Sequence, residues 1–480
     1  MGSVRQKDRH GRRPPQNPVM ASRWNRALRW TGGGILGVVG LVGASVVSGL
    51  APVAPELVPV ASTSLALGGT APEPIRSGWS RMRLTPKIGA LVSDPEQGAF
   101  PRIPLAGYGN REGAPATGIH DELWVKAVAF ASRSATGVMV AADALIIPRE
   151  VADRAVEALG QSRGLGRGQV YFGATHTHCS LGGWGQRFVG EAFAGPHDPA
   201  VSTWFANQLV RSVEAALDDL QPARLGAGSF EAPEFIRNRL DRGGVTDPEF
   251  SLLVVQQVDG DRAVLGSYSA HATVLGGNVM EFSGDYPGAW SRAVEQSGIG
   301  LAAFIAGGVG SQSPVARKGG FEGVEDLGRT LAERTRDRVA RIPLMESMPF
   351  QTELVAVSLP EVQVRVTDGI RLRPWVARQL MPPLSETTVL QAFRFGNCVW
   401  LSTPCDYSAE LALDLKAVAA ARGVDAVVTS FNGDYIGYVI PGRHYHREGY
   451  EPRVMNFYGP NVPMVFAEAL ARLAVPAGGQ

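Results

Sequence analysis

Short apolar stretches separated by polar turns recur along most of this chain. Seven of them are rich in β-branched residues and too short for helices, which is typical of buried strands. They cover residues 125–131, 137–142, 169–173, 250–256, 263–267, 301–306 and 398–401. The pattern therefore predicts a substantial β-sheet core.

Between these stretches the apolar positions recur every three or four residues, which predicts amphipathic helices. The helical stretches are 149–159, 199–220, 323–342, 408–422 and 462–473. Strands and helices alternate only loosely, so the pattern does not specify a simple doubly wound sheet. It predicts a mixed α/β fold in which packed β-sheets are flanked by helices, within a single large domain over residues 83–480.

The first 82 residues differ in composition from the rest. Residues 1–30 contain eight basic side chains and one acidic one, and residues 30–55 contain no charged side chain. A basic flank before an uncharged stretch of more than about 20 residues predicts a membrane segment with its N-terminus in the cytoplasm. We therefore expect a basic tail at 1–30, a transmembrane or signal segment at 31–54 and a linker at 55–82. The domain that follows is expected to be membrane-anchored outside the cytoplasm, or secreted.

Charge and cysteine content exclude two classes of protein. The whole chain carries a formal charge of +1, and acidic residues outnumber basic ones once the tail is set aside. No basic patch remains for a phosphate backbone, so we expect no nucleic-acid partner. Three cysteines, Cys179, Cys398 and Cys405, are too few for a disulfide framework. The sequence leaves open whether Cys179 and Cys405 pair or remain free thiols.

The sharpest local motif is a pair of histidines directly after the apolar stretch 169–173. In Thr175-His176-Thr177-His178 the two imidazoles are two residues apart, so an extended chain turns both to the same side. Zinc favours imidazole nitrogen, and the glycines that follow suit the rim of a metal site. On its own, the pattern fits two polar residues at the end of a strand equally well.

Three further segments add candidate chemistry. His271 follows the apolar stretch 263–267 and offers a third imidazole, although a lone histidine there is more often a hydrogen-bonded core residue. Residues 304–314 run from an apolar stretch into a Gly-rich turn, whose N–H groups suit a substrate oxygen. This turn lacks the motif of a P-loop and that of a nucleophile elbow. Residues 431–460 are dense in tyrosine, glycine and charge, which indicates a loop that forms part of a site.

Taken in order, these motifs resemble the catalytic domain of the neutral (non-lysosomal) ceramidases. That family has Thr-His-Thr-His, Asn-Arg, a strand ending in His, a Gly-Asp-Val-Ser-Pro turn, a Pro-Gly-Glu-Phe segment and a Tyr-rich block with Tyr-Gly-Pro. The counterparts here are 175–178, Asn238-Arg239, His271, 310–314, 404–407 and 438–460. Six collinear motifs, spread from about residue 86 to the C-terminus, are more specific than any one of them.

The resemblance implies a zinc-dependent amidohydrolase that cleaves the amide bond of an N-acyl sphingoid base or a related N-acyl lipid. It implies that the Zn²⁺ ligands are His176, His271, Asp406 and Tyr438. It places around the substrate amide His178, Arg239, Ser313 and Tyr450. On this interpretation zinc activates water and polarises the carbonyl, His178 or a tyrosine moves the proton, and Arg239 with the Gly-rich turn steadies the oxyanion.

The chain departs from the family pattern at several positions. Asp406 stands where the family has the longer glutamate, and Glu410 is an alternative ligand if Asp406 cannot reach. Leu240 and Ser311 replace a serine and an aspartate, and residues 440–445 differ as well. Because several of these changes lie where the family handles its substrate, two alternatives stay open. One is a zinc hydrolase of a non-lipid amide or ester, and the other is a surface domain of the same fold without catalytic activity.

Overall fold

The computed structural model describes residues 46–50 and 64–475, all within one compact unit, Ser45–Gln480. The α-helices of these ranges are α1 Arg149–Arg163, α2 Arg187–Ala194, α3 Pro199–Asp218, α4 Asp285–Gln296, α5 Gly320–Val339, α6 Pro374–Leu380, α7 Ala409–Ala420 and α8 Val462–Ala474. The strands are β1 Val47–Gly49, β2 Ser64–Leu67, β3 Glu73–Arg83, β4 Lys87–Ile88, β5 Ala99–Phe100, β6 Gly118–Ile119, β7 Trp124–Ala131, β8 Thr136–Ala142, β9 Val170–Ala174, β10 Gln221–Glu231, β11 Ile236–Asn238, β12 Glu249–Gln257, β13 Arg262–Tyr268, β14 Glu281–Phe282, β15 Leu301–Ala306, β16 Gln312–Pro314, β17 Ser347–Met348, β18 Phe350–Ser358, β19 Ile370–Leu372, β20 Thr387–Phe395, β21 Cys398–Ser402, β22 Asp406–Tyr407, β23 Asp425–Thr429 and β24 Tyr438–Val439.

Two large sheets carry the fold. The first has nine strands in the order β15-β13-β12-β10-β3-β7-β8-β9, with β17 pairing to β3. The second has five strands in the order β2-β18-β20-β21-β23. Most neighbours are antiparallel, but the pairs β8–β9, β13–β15 and β21–β23 are parallel. These parallel pairs matter for function, because the segments that leave their carboxyl ends build the candidate site.

Alternation along β7 shows how the two sheets stack. Successive side chains of a strand point to opposite faces. Val125 and Ala127 join the core that α1 and α3 cover, whereas Val128 and Phe130 join a core with Phe393 of the second sheet. The helices α4 and α5 cover the remaining part of the first sheet on its helical face. The first sheet is therefore buried between a helical layer and the second sheet.

A second helical layer closes the other side. Arg394 alternates with Phe393 along β20, and its guanidinium donates to the carbonyl oxygens of Leu473 and Ala474, each at 2.8 Å. These carbonyls belong to the end of α8, which packs with α7 against the five-stranded sheet. The layers thus follow one another as helices, sheet, sheet and helices.

The nine-stranded sheet curls until its two end strands, β9 and β15, touch. A Cβ atom added at Gly173 in β9 would lie 2.5 Å from Cγ2 of Ile305 in β15. Only glycine permits this approach, because real Cβ contacts are not that short. The curling brings the carboxyl ends of β9, β13 and β15 to one place.

The structure confirms the mixed α/β fold and the seven strands and five helices that the pattern predicted, with ends that shift by a few residues. The linker expected at 55–82 is wrong from residue 64 onward. The strands β2 and β3 lie there, and β3 pairs with both β7 and β10 inside the large sheet. Folded structure is therefore present well before residue 83.

The predicted membrane segment at 31–54 lies mostly outside the described residues. Its described part includes Val47–Gly49, which pairs antiparallel with Ile370–Leu372. Within residues 46–50 and 64–475, no helix has the length and apolar character needed to cross a bilayer.

Candidate metal centre and its cavity

The candidate site is built from segments that follow strands of both sheets. His176 and His178 follow β9, and His271 follows β13 in the first sheet. Asp406 lies beyond β21 of the second sheet, and the short strand that it begins pairs with Tyr438–Val439. Residues far apart in sequence therefore meet where the two sheets end.

Three imidazole rings face one another at this point. Nε2 of His271 lies 2.9 Å from Nε2 of His176 and 3.0 Å from Nε2 of His178. The remaining distance, between Nε2 of His176 and Nε2 of His178, is 3.4 Å. The Thr-His-Thr-His motif and the distant His271 therefore form one cluster, as the strand pattern suggested.

His176 is held in an uncommon conformation. Its backbone φ is +62°, in the left-handed region that non-glycine residues seldom adopt. Its ring stacks on Phe431, whose φ is +66°, with the centroids 4.1 Å apart. Such conformations cost on the order of 1–3 kcal/mol each and cluster at functional sites. The surrounding fold therefore stabilises a particular direction of the His176 ring.

Backbone carbonyls determine which ring nitrogens face the centre. Nδ1 of His176 lies 2.6 Å from the carbonyl oxygen of Leu145, and Nδ1 of His271 lies 3.3 Å from that of Val309. A carbonyl oxygen can only accept, so both Nδ1 atoms carry the proton and both Nε2 atoms are left with a lone pair. This is the tautomer that metal-binding histidines adopt when a carbonyl orients them.

Burial keeps His178 and His271 neutral. Burial, reinforced by His176 and Arg111, holds the pKa of His178 well below its ordinary value. Burial, reinforced by Arg239 and His176, does the same to the pKa of His271. At neutral pH both rings are unprotonated bases, and their lone pairs are available.

Asp406 is the carboxylate beside this cluster. Its Oδ1 lies 3.4 Å from Nε2 of His176, and its Oδ2 accepts a hydrogen bond of 2.8 Å from the Tyr435 hydroxyl. Glu410 is engaged elsewhere, since its carboxylate contacts His444 at 3.2 Å and accepts from Ser408 at 2.7 Å. Of the two acids considered from the sequence, the structure brings Asp406 to the histidines.

The donor set fits a bound cation. The Nε2 lone pairs of His176 and His271, 2.9 Å apart, repel one another unless a positive charge lies between them, and Nε2 of His178 lies within 3.4 Å of both. Two nitrogens on one tetrahedral zinc ion are separated by about 3.3 Å, given bonds of about 2.0–2.1 Å. Within the described residues, Oδ1 of Asp406 is buried and has no hydrogen-bond donor. Such an orphaned carboxylate oxygen is what a metal ion would satisfy.

Tyr438, Arg239 and Tyr450 lie next to the cluster. The Arg239 guanidinium donates to the Tyr438 hydroxyl at 2.9 Å, and the rings of Tyr438 and Tyr450 are 5.7 Å apart. Burial, together with Asp406, raises the pKa of Tyr438 far above its ordinary value. This hydroxyl is therefore protonated at neutral pH.

Ser313 lies on β16, opposite Arg237 of β11. It is not among the residues that line the cavity described below. Its neighbour Ser311 accepts a hydrogen bond of 3.1 Å from the N–H of Ala409, at the start of α7. Ser311, which replaces the family's aspartate, thus joins the Gly-rich turn to a helix of the second sheet's outer layer.

A cavity of about 480 Å³ opens beside the cluster. His176, His178 and Asp406 lie on its wall together with Tyr438 and Tyr450. Much of the remaining wall is apolar and comes from Leu145, Ile146, Trp184, Val189, Phe193, Pro382, Pro383, Met455 and Phe457. The outer wall carries charged side chains of α1. The volume lies within the range of small-molecule sites.

Several site residues were not identified from the sequence. Phe431 stacks on His176, Tyr435 donates to Asp406, and Glu451 lies 2.9 Å from the Nε of Arg239. All three belong to the tyrosine-rich segment at 431–460, so its unusual composition was the available signal. Elsewhere in that segment, His444 pairs with Glu410 and Tyr458 donates to the Ser385 carbonyl.

The three cysteines are free and buried. The Arg111 guanidinium donates to the sulfur of Cys179 at 3.4 Å. Burial raises the pKa of Cys179 to about 12, so this thiol is protonated at neutral pH. Of the two states that the sequence left open for Cys179 and Cys405, the structure contains the free thiols.

Comparison with known proteins agrees with this geometry. Residues 88–312 match the family model of the neutral/alkaline non-lysosomal ceramidases, N-terminal. No curated protein matches the chain. The crystal structure of neutral ceramidase from Pseudomonas aeruginosa is similar, with a TM-score of 0.70, 19% identity, and coverage of 84% of this chain and 74% of that chain. A ceramidase complexed with C2 gives a TM-score of 0.69 and 18% identity, with 84% and 75% covered.

By its fold and site, this is a mixed α/β protein whose two sheets meet at a buried three-histidine cluster able to bind a metal ion. The resemblance that the motifs indicated is confirmed: residues 88–312, a little under half of the chain, match the neutral/alkaline ceramidase model.

Proposed function

We propose that this protein is a zinc-dependent amidohydrolase that cleaves the amide bond of an N-acyl sphingoid base or a related N-acyl lipid. One observation carries the proposal. Three imidazole nitrogens lie within 3.4 Å of one another, and two of these histidines, His176 and His178, line a largely apolar cavity together with Asp406. Polar chemistry is thus concentrated at one point of a space that suits an aliphatic chain.

His176, His271, Asp406 and Tyr438 would hold the ion. The two histidines present carbonyl-oriented Nε2 atoms, and the aspartate presents an oxygen without a hydrogen bond in the described part of the chain. Imidazole and carboxylate ligands are typical of catalytic zinc. When bound, zinc supplies Lewis acidity, which acidifies water and polarises a carbonyl.

The neighbouring side chains would handle the substrate. Arg239 is a permanent cation in a buried setting and would stabilise negative charge that develops on the amide oxygen. His178 is neutral at pH 7, so its Nε2, which faces the cluster, would accept a proton and pass it to the leaving amine. Tyr450 lies on the cavity wall and would orient the amide. Ser313 is assigned to the substrate by family resemblance alone.

The cavity supports a lipid substrate. Its apolar wall would bury the acyl or sphingoid chain, and burying aliphatic groups stabilises binding by about 0.8 kcal/mol for each CH₂. The charged side chains at the outer wall, among them Arg149, Asp153 and Arg154, would remain near the polar head of such a molecule. An amphipathic N-acyl lipid therefore fits the cavity better than a small polar amide does.

A substrate panel tests the proposal. Zinc-loaded full-length protein is incubated with N-acyl sphingosines, with short N-acyl amides and with matched esters, and released acid is measured with and without a chelator. We expect chelator-sensitive release from the N-acyl sphingosines. Turnover of short amides or esters alone would favour the non-lipid hydrolase, and no turnover at all would favour the inactive surface domain.

Two variants sharpen this test. Arg239→Ala and Ser313→Ala should lower turnover and leave the zinc content at the wild-type level, because both residues are assigned to the substrate. Zinc loss in either variant would contradict that assignment.

We also propose that the catalytic domain lies outside the cytoplasm, either anchored or secreted. The support is the basic flank at 1–30 and the uncharged stretch at 30–55. If the domain is anchored, protease added to intact spheroplasts should digest it. If the domain is secreted, it should be recovered from the medium. Protection of the domain in intact spheroplasts, with digestion after lysis, would contradict this location.

A further inference from the structure

The Arg239 guanidinium has three neighbours that define its position. It donates to the Tyr438 hydroxyl at 2.9 Å and lies at 3.5 Å from the Gly310 carbonyl oxygen. On its other side, Nε lies 2.9 Å from Oε1 of Glu451. Only 22% of the Arg239 side chain and 13% of the Glu451 side chain are exposed. The ion pair is therefore largely removed from water.

Glu451 comes from a different part of the chain. Arg239 follows β11, whereas Glu451 belongs to a helical turn, Tyr450–Val454, in the tyrosine-rich segment. Tyr450, its immediate neighbour, lines the cavity. One short turn thus places a tyrosine on the cavity wall and a carboxylate on the arginine.

The charges around Arg239 explain why its pairing with Glu451 affects the position of the guanidinium. The guanidinium is buried, contacts the Tyr438 hydroxyl and the Glu451 carboxylate directly, and interacts electrostatically with Asp406 as well. Two carboxylates therefore attract the same guanidinium. An arginine side chain has several rotatable bonds, and a partner at a fixed position removes that freedom.

We infer that Glu451 is a positioning residue, whose carboxylate holds the Arg239 guanidinium on Tyr438 and away from Asp406. Without Glu451, the guanidinium turns toward the remaining carboxylate, Asp406. Arg239 then leaves the place where the amide oxygen would bind, and it competes for the oxygen that faces the histidines. The inference rests on the proposed function only in the role assigned to Arg239.

A double-mutant cycle tests the inference. Glu451→Gln, Arg239→Ala and the double variant are compared with wild type, using an N-acyl sphingosine as substrate. We expect Glu451→Gln to lower kcat about tenfold or more and to change KM less than threefold. In the Arg239→Ala background, the same substitution should change kcat/KM less than twofold. Equal losses in both backgrounds would show that Glu451 acts independently of Arg239 and would overturn the inference.

A matched control lies three residues away. Glu448 is in the same segment, its side chain is 84% exposed, and its contact is with Arg453 at 3.5 Å. Glu448→Gln should leave kcat and KM at the wild-type values. A loss equal to that of Glu451→Gln would mean that any charge change in this segment disturbs the site, and the inference would fail.

An arm without activity separates this inference from the proposed function. The same four proteins are unfolded in urea, and the unfolding equilibrium constants are compared. We expect Glu451→Gln to raise that constant at least fivefold more in the wild-type background than in Arg239→Ala. Equal effects would refute the pairing, whereas clear coupling in a protein without any hydrolysis would keep the pairing and reject the proposed function.

Discussion

Nδ1 of His176 lies 2.6 Å from the carbonyl oxygen of Leu145, and this contact determines which nitrogen of the ring faces the cavity. The carbonyl belongs to the chain just after β8, the parallel neighbour of β9. The sheet itself therefore orients the candidate ligand. Because the carbonyl oxygen can only accept, Nδ1 carries the proton, and Nε2 points its lone pair at His271 and His178.

We expect purified protein to contain about one zinc ion per chain, and His176→Ala and His271→Ala each to lose it, because each removes an imidazole nitrogen from the cluster. Elemental analysis after dialysis measures the stoichiometry. His120→Ala is the control, since His120 stacks on Phe321 away from the cavity wall. Full zinc occupancy in both ligand variants would disprove the assignment.

His178 lies close enough to the cluster to be either a metal ligand or a residue that handles the substrate, because its Nε2 is 3.0 Å from Nε2 of His271. As a residue that handles substrate, His178→Ala should retain zinc and lose turnover by about 10²–10⁴-fold, the usual contribution of a general acid or base. Zinc content and kcat are measured on the same preparation. Zinc loss would instead make His178 a third imidazole ligand.

Gly173→Val should destabilise the protein by about 1–3 kcal/mol or more, which is the usual cost of overpacking a core. The added side chain would collide with Ile305 and separate β9 from β15. Urea unfolding measures the change, and Gly319→Ala serves as the control because no atom lies within 4 Å of its added Cβ. Recovery of stability in Gly173→Val with Ile305→Ala would show that this contact is the cause.

Asp143 predicts a pH dependence of stability. Burial raises the pKa of its carboxyl from 3.8 to about 6. Between about pH 4 and 6 the native state therefore binds more protons than the unfolded state, so stability falls as pH rises through this window. Asp143→Asn keeps an acceptor for the Trp124 N–H and removes the charge.

Unfolding free energies at pH 4.5 and 7.5 check this expectation. The Asn variant should be more stable than wild type at pH 7.5 by about 1–3 kcal/mol, given 1.36 kcal/mol for each pKa unit. The difference should shrink at pH 4.5. The exposed residue Asp337 provides the control, and Asp337→Asn should leave the pH profile unchanged.

Hydrophobic patterning predicted the buried strands well because their apolar runs are continuous. The strand β3 was missed for a physical reason: its sequence, EPIRSGWSRMR, alternates buried and exposed positions and carries four charged residues. Its burial comes from pairing with β7 and β10, which are distant in sequence. The linker was predicted from local composition, which carries no information about contacts between distant strands.

In the candidate site, too, the residues with a local sequence signal were predicted, and those that depend on tertiary contacts were not. His176 and His178 were visible because a local motif follows a strong strand, and His271 because another strand precedes it. Glu451 had no local signal that separates it from Glu448, although one is buried on Arg239 and the other is exposed. Only the path of the tyrosine-rich segment over Arg239 distinguishes them, and that path is a tertiary property.

The meeting of both sheets at the site has a consequence for how the protein matures. A nascent chain that has emerged through residue 312 carries all three histidines but neither Asp406 nor Tyr438. Closing the interval from His271 to Asp406 costs loop entropy, which only packing of the second sheet repays. On the proposed ligand assignment the complete set would be gathered last, so ion capture would report completion of the whole fold.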